Sequence, residues 1–177
     1  NKTLTSSTNT LGGVTMDVGG TDADGDMYYR SSSVLTRLVA GADSTTIRYL
    51  GGIPTAGPVV SSNRYTPILT NGANVTSSTP SSCHYSRIGN EVWVYGTIEI
   101  QTTTGIGTLT NIDISLPIAS NIASGEDLSG MIVGSASVDQ TYGPIFGSIT
   151  NDVATVAFLA PTGATSTYRF NFIYQIL

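Results

Sequence analysis

The sequence predicts an all-β chain in two parts: a slender β stalk built by intertwined copies, then a jelly-roll-like β-sandwich head. Three observations carry this. Apolar residues alternate with polar ones in short runs that end at Gly, Asn, Asp or Pro. No stretch of ten or more residues combines a helical period with caps. The large apolar side chains (Val, Ile, Leu, Met, Phe, Trp, Tyr) are unevenly spread, 22 in residues 1–82 against 35 in residues 83–177.

Composition points the same way. Ser and Thr make up roughly a quarter of the 177 residues, and Gly is abundant. This is the usage of strands and tight turns. Lys occurs only at Lys2, and the net charge of −5 excludes the basic footprint of a nucleic-acid binder. Cys83 is the one cysteine, so no intrachain disulfide forms. The longest apolar runs, such as Val156 to Ala160, fall far short of the roughly 20 residues of a membrane-spanning helix. No basic-then-apolar signal segment is present, and the chain opens at Asn1 without Met, as expected for a processed product or fragment.

Residues 1–54 read as the stalk. Asp24-Gly25 marks a turn, Met27 to Arg30 a strand, Ser31 to Ser33 a turn and Val34 to Val39 a returning strand. Thr45 to Leu50 gives another strand, closed by Gly51-Gly52-Ile53-Pro54. Burying a large apolar side chain is worth about 1.5–3 kcal/mol, whereas ordering each backbone residue costs about 1–2 kcal/mol. The first part has too few apolar groups, and too many glycines, to close a core alone. It is either disordered or wrapped by identical copies, and its regular short strands favour wrapping. Met27, Tyr29 and Leu38 are the candidate contacts between copies. Residues 55–82 read as a Pro/Ser/Asn-rich connector.

Residues 83–177 read as the head, with strands at 84–88, 91–101, 107–116, 130–138, 144–150, 152–160 and 166–176. Asn90, Asn151-Asp152 and Thr162-Gly163 supply turns. Tyr168, Phe170, Phe172, Tyr174 and Ile176 share one face of the last strand and are assigned to the core. The strand after Asn90 has two apolar faces. Val92, Val94, Ile98 and Ile100 occupy one side, Trp93 and Tyr95 the other. A strand with one wet face shows polar residues there, so a neighbouring subunit or a ligand is expected over Trp93 and Tyr95.

Catalytic chemistry finds no constellation. His84 is the one histidine and neighbours Cys83, but adjacent strand residues point to opposite sides. No triad can be assembled. Glycoside hydrolysis needs two carboxylates about 5–10 Å apart, whereas Glu91 and Glu99 lie eight residues apart on one strand, roughly 26 Å by strand rise. No enzyme and no cofactor are expected. Asp22, Asp24 and Asp26 alternate like the start of a calcium loop, but no Glu closes it, so a turn is the better reading. His84 could meet its own copies on a threefold axis and hold a metal, yet a single strand histidine is more often just hydrogen-bonded or exposed. Recognition is expected from the loops 102–107, 121–129, 139–143 and 161–166. Asp139, Gln140 and Tyr142 form the polar-plus-aromatic kind of set that binds sugars. Glu126 and Asp127 are further candidates.

Specific strings add to this reading. Gly25 to Gly41, GDMYYRSSSVLTRLVAG, followed by IRYLGGIPTAG from Ile47, resembles the repeat of bacteriophage tail-fibre and related virion proteins. Thr55-Ala56-Gly57 stands where that repeat carries a Trp. Asn1 to Gly13, NKTLTSSTNTLGG, is similar to repeats of fibrous phage shafts. Tyr85 to Asn90, Ser115 to Asn121 and the closing FIYQIL resemble a phage structural domain. The resemblance implies a homotrimer on the virion surface, joined to other virion proteins on its N-terminal side and inserted in no membrane. It also implies attachment through a host-surface glycan or protein receptor. A structural fibre or decoration protein without a receptor is the alternative, and a polysaccharide-degrading enzyme is a more distant rival.

Overall fold

The computed structural model describes residues 9–11, 14–16, 24–32, 34–134, 141–161 and 163–177. Nearly all regular structure among them is β. The chain divides into two units, Asn1–Val60 and Ser61–Leu177.

Unit 1 contains β1 (Asn9–Leu11), β2 (Val14–Met16), β3 (Met27–Ser31), β4 (Val34–Leu38), β5 (Thr45–Leu50) and the start of β6 (Ile53–Tyr65). One sheet runs β1-β2-β4-β3, with β2 parallel to β4 and the other pairs antiparallel. β5 and β6 form a hairpin whose central residues, Gly51 and Gly52, both have positive φ (59° and 83°). That is the primed-turn geometry matched to strand twist, and glycine adopts it at no steric cost. Asp26 secures the turn before β3: its carboxylate accepts the Ala40 N–H (2.8 Å) and pairs with Arg37 (3.5 Å). The Asp22–Asp26 acids thus include one with a structural role, while Asp22 and Asp139 lie outside the described residues.

Unit 2 contains the end of β6, then β7 (Leu69–Asn71), β8 (Val75–Pro80), β9 (Cys83–Ile88), β10 (Glu91–Thr102), β11 (Leu109–Ser115), β12 (Leu128–Gly134), β13 (Tyr142–Ser148), β14 (Val153–Leu159) and β15 (Thr165–Gln175). A single turn of 3-10 helix, Gly125–Asp127, precedes β12. The part of 55–82 expected as a connector carries strands: β6 continues to Tyr65, and β7 and β8 join the sheet. Tyr65, Leu69 and Val75 pack one apolar side chain from each of β6, β7 and β8 against the core, and the remaining small polar residues are held by hydrogen bonds without an apolar alternation.

The sheet path is β6-β9-β10-β15-β12-β13-β14-β11-β7. β8, which follows β7 across the turn at 72–74, returns to β10 and shares one of its edges with β9. β9 pairs with residues 91–95 of β10, and β8 with residues 98–102. The two walls of the expected sandwich are therefore opposite sides of one curled sheet. The turn between β7 and β8 fastens the seam. Asn74 sits at φ 59°, a left-handed conformation that Asn tolerates. Its amide donates to Thr110 Oγ1 (2.8 Å), its side-chain oxygen accepts the Thr104 N–H (2.7 Å), and its carbonyl accepts the Thr103 N–H (3.1 Å). One residue thereby ties the β7–β8 turn to β11 and to the end of β10.

Every strand from β10 to β15 turns alternate residues inward. Val92, Val94, Ile98 and Ile100 meet Ile112, Ile114, Leu128, Ile132, Ile145, Val156 and the aromatic stripe Tyr168, Phe170, Phe172 and Tyr174, all buried. Gly143 takes an inward position on β13 because a Cβ there would strike the Ala157 carbonyl and Phe158. Burial pushes the Cys83 thiol up and the Tyr65 and Tyr174 hydroxyls well above their ordinary range. Tyr174 keeps its polar end satisfied by donating to the Ile118 carbonyl (2.7 Å) and accepting from the Ile118 N–H (3.2 Å).

If Asn74 fastens the seam, Asn74→Ala should cost about 1–3 kcal/mol, the loss incurred when buried polar groups go unpaired. The shift in the urea midpoint measures it; a variant as stable as the parent would show that the turn does not hold the closure.

Candidate functional site

With its inner face filled, unit 2 can offer partners only its outer face and its loops. The registers place outward residues in cross-strand rows over β9, β10, β15, β12 and β13. One row runs Ser86, Trp93, Ile173, Ser129, Phe146, and the next runs His84, Tyr95, Asn171, Met131, Pro144. A third holds Thr97, Arg169, Val133 and Tyr142. Trp93, Tyr95 and Met131 are each about half exposed (54%, 53% and 52%), with Val133 and Phe146 close behind. Open recesses form between them, one of about 500 Å³ lined by Tyr95, Thr97, Met131, Val133 and Arg169. The His84 ring stacks on Tyr95 at 5.2 Å and 7°, while neighbouring Cys83 is buried on the opposite side.

The outer face of β8, β7, β11 and β14 differs. Ser77 donates to Gln101 (3.1 Å), Thr76 and Thr103 share a bond (2.9 Å), and Thr155 donates to Asp113 (2.7 Å). Leu109 and Leu159 at one end and Ala157 and Val153 along β14 are apolar, and the rest of that wall is largely hydroxyls, amides and Asp113. A single barrel surface thus has an apolar wall and a polar wall. Aromatic residues, Met and Arg, with few carboxylates, are the composition of protein interface centres.

The sugar-binding set expected in the 139–143 loop is only partly placed. Tyr142 is highly exposed at the start of β13, whereas Asp139 and Gln140 lie outside the described residues. Glu126 and Asp127 fall at the other end of β12, roughly 17 Å away by strand rise. There they line a recess with Glu91 and Gln175. Asp127 is committed structurally: its carboxylate accepts the N–H groups of Ala123 (3.0 Å) and Ser124 (2.7 Å) in a capping box. Glu126 is exposed beside it. Trp93 and Tyr95 sit on the apolar wall. In unit 1, Met27 pairs across the hairpin with Leu38, Met27 is exposed and Tyr29 and Leu38 are half-buried. The contributions of Met131, Ile173 and Arg169 to the wall were not foreseen, because they depend on which strands become neighbours. Among the described residues, no three His, Cys, Asp or Glu side chains gather as a metal cluster.

The 121–129 loop is held at its start by Asp152, whose carboxylate accepts the N–H groups of Ser120 (3.0 Å) and Ile122 (2.9 Å). Burial alone would raise this acid, but the backbone donors of Ile122, Ser120 and Asn121 outweigh it and lower its pKa. A depressed folded-state pKa adds stability above the unfolded value, and that stability is lost as pH falls through the folded value. Asp152→Asn should therefore melt below the parent at neutral pH, and the gap should narrow as pH falls below the ordinary aspartate value of about 4 and close only below the lowered folded value. Thermal melts across this range test it; an unchanged gap would show that the charge does not hold the loop.

No family model and no curated protein matches the chain. Two solved structures are similar over 89% of it. One is a reovirus attachment protein, sigma1, solved with alpha-2,3-sialyllactose, at 9% identity, TM-score 0.40 and 98% of that chain. The other is the distal domain of the mouse adenovirus 2 fibre, at 13% identity, TM-score 0.40 and 96% of that chain. At these values neither likeness identifies a fold or a ligand for this chain.

Proposed function

We propose that this chain is the stalk-and-head portion of a bacteriophage virion fibre, a homotrimer that attaches the particle to a glycan or protein on the host surface. One observation carries the proposal: among residues 24–32 and 36–60 of unit 1, strands form but no side chain is buried. Tyr49 (73% exposed), Leu50 (64%) and Val39 (57%) stand open, as do Met27 and Ile47. Strands do not persist in water with such side chains uncovered, since three or more strands need an apolar layer against them. Identical copies winding together supply that layer. The fibre-like strings between Gly25 and Gly57 fall in this same segment.

The apolar wall of unit 2 fits the same assembly. Trp93 and its cross-strand neighbour Ile173 offer a hot-spot centre for a second copy. Three shallow sites on one assembly then gain avidity of about 10²–10⁴ without a deep pocket. Binding rather than cleavage suits a chain whose one histidine stacks on a tyrosine and whose Glu91 and Glu99 share a strand.

Labelled chain incubated with a panel of bacteria bearing different surface glycans tests attachment. Saturable adhesion to particular strains, blocked by unlabelled chain, is expected. Absence of adhesion to every strain would overturn attachment in favour of a purely structural virion component.

A further inference from the structure

At the margin of the apolar wall, β6 lies beside β9. Strand alternation puts Ser62 and Arg64 on one side of β6, and His84 and Ser86 on one side of β9. With Tyr95 these residues line a recess of about 250 Å³. The Arg64 guanidinium, the His84 imidazole and the Ser62 and Ser86 hydroxyls make no hydrogen bond or ion pair with the described residues. The backbone N–H of Arg64 is held by the Asn63 side chain (2.8 Å), which fixes the strand from which the guanidinium projects. No carboxylate lines the recess. This is unusual for residues 61–177, which hold three arginines against seven carboxylates.

We propose that this recess binds an acidic sugar, a carboxylate- or sulphate-bearing ring of a surface polysaccharide. The guanidinium fork matches a planar carboxylate or a sulphate with two parallel N–H donors. The hydroxyls of Ser62 and Ser86 and the imidazole of His84 serve the ring hydroxyls. The stacked His84–Tyr95 pair gives a flat wall for the apolar face of the sugar. An unpaired cation among hydroxyls and aromatic rings, in a chain that repels polyanions elsewhere, selects by charge as well as by shape. Tyr142, on β13, is not among the residues lining the recess. The site rests on the attachment reading only for the source of its ligand.

Calorimetry on the full chain tests it with oligogalacturonate as the carboxylated probe, sulphated dextran oligomers as the sulphated one and neutral dextran oligomers as control. At least one acidic probe should bind and the neutral one should not. Arg64→Ala should weaken binding at least tenfold, while Arg48→Ala, which removes the same charge from an exposed position in unit 1, should change it less than twofold. His84→Ala should fall between them. Equal losses for Arg64→Ala and Arg48→Ala would reduce the effect to diffuse charge and overturn the proposal, as would binding to neither acidic probe. The two readings fail separately: acidic-probe binding with no adhesion of the parent chain to any cell overturns attachment and leaves the recess standing.

Discussion

Everything in unit 2 depends on the curled sheet meeting itself along β10. Once β8 and β9 share that edge, one face of every strand is inside and the other is outside. The inner face can then be almost entirely apolar, from Val92 to Tyr174, with Thr102 and Thr110 the buried polar exceptions on β10 and β11. Among the described residues of unit 2, the outer face keeps several large side chains exposed. Its character is therefore informative: hydroxyls and amides on the β8–β7–β11–β14 side, Trp93, Tyr95, Met131 and Ile173 on the other. Trp93 is half exposed, with its indole N–H donating to Glu91, and exposed apolar patches of this kind mark interaction surfaces.

Unit 1 shows what happens without closure. Its hairpins obey the same local rules: Gly51-Gly52 makes the turn, Asp26 braces the neighbouring one, and Met27 lies opposite Leu38. Pairing there satisfies the backbone, but among the described residues it leaves side chains exposed or at most half-buried. The contrast with unit 2 is one of topology more than of strand propensity. A sheet that curls on itself buries its own face, and short hairpins in series cannot. Local order with no local core is the condition under which a chain completes itself with copies.

Much of this was legible in the residues, and the reasons differ by element. The strands of residues 83–177 follow the expected positions closely because large apolar residues alternate there, and the stripe from Tyr168 to Tyr174 is buried as its period required. The outward placement of Trp93 and Tyr95 follows from parity alone. β7 and β8 were unreadable because each sends one apolar residue to the core, Leu69 and Val75, and the rest of their support comes from long-range polar bonds such as those of Asn74, which leave no periodic trace. The wall and the acidic-sugar recess were equally hidden. They join β6, β9, β10, β15 and β12, segments separated by tens of residues, and no local pattern announces such neighbours. The capping box from Ser124 to Asp127 was visible as a signature, and it assigns Asp127 to structure where chemistry alone suggested recognition.

The most direct measurement is the mass of the chain in solution by sedimentation equilibrium, with hydrogen exchange read over residues 24–60. The account predicts an assembly of about three times 18.4 kDa, with the amides of β3, β4 and β5 protected in it and unprotected on dissociation. A stable 18.4 kDa monomer with those amides protected would contradict it, because unit 1 would then hold its strands without copies.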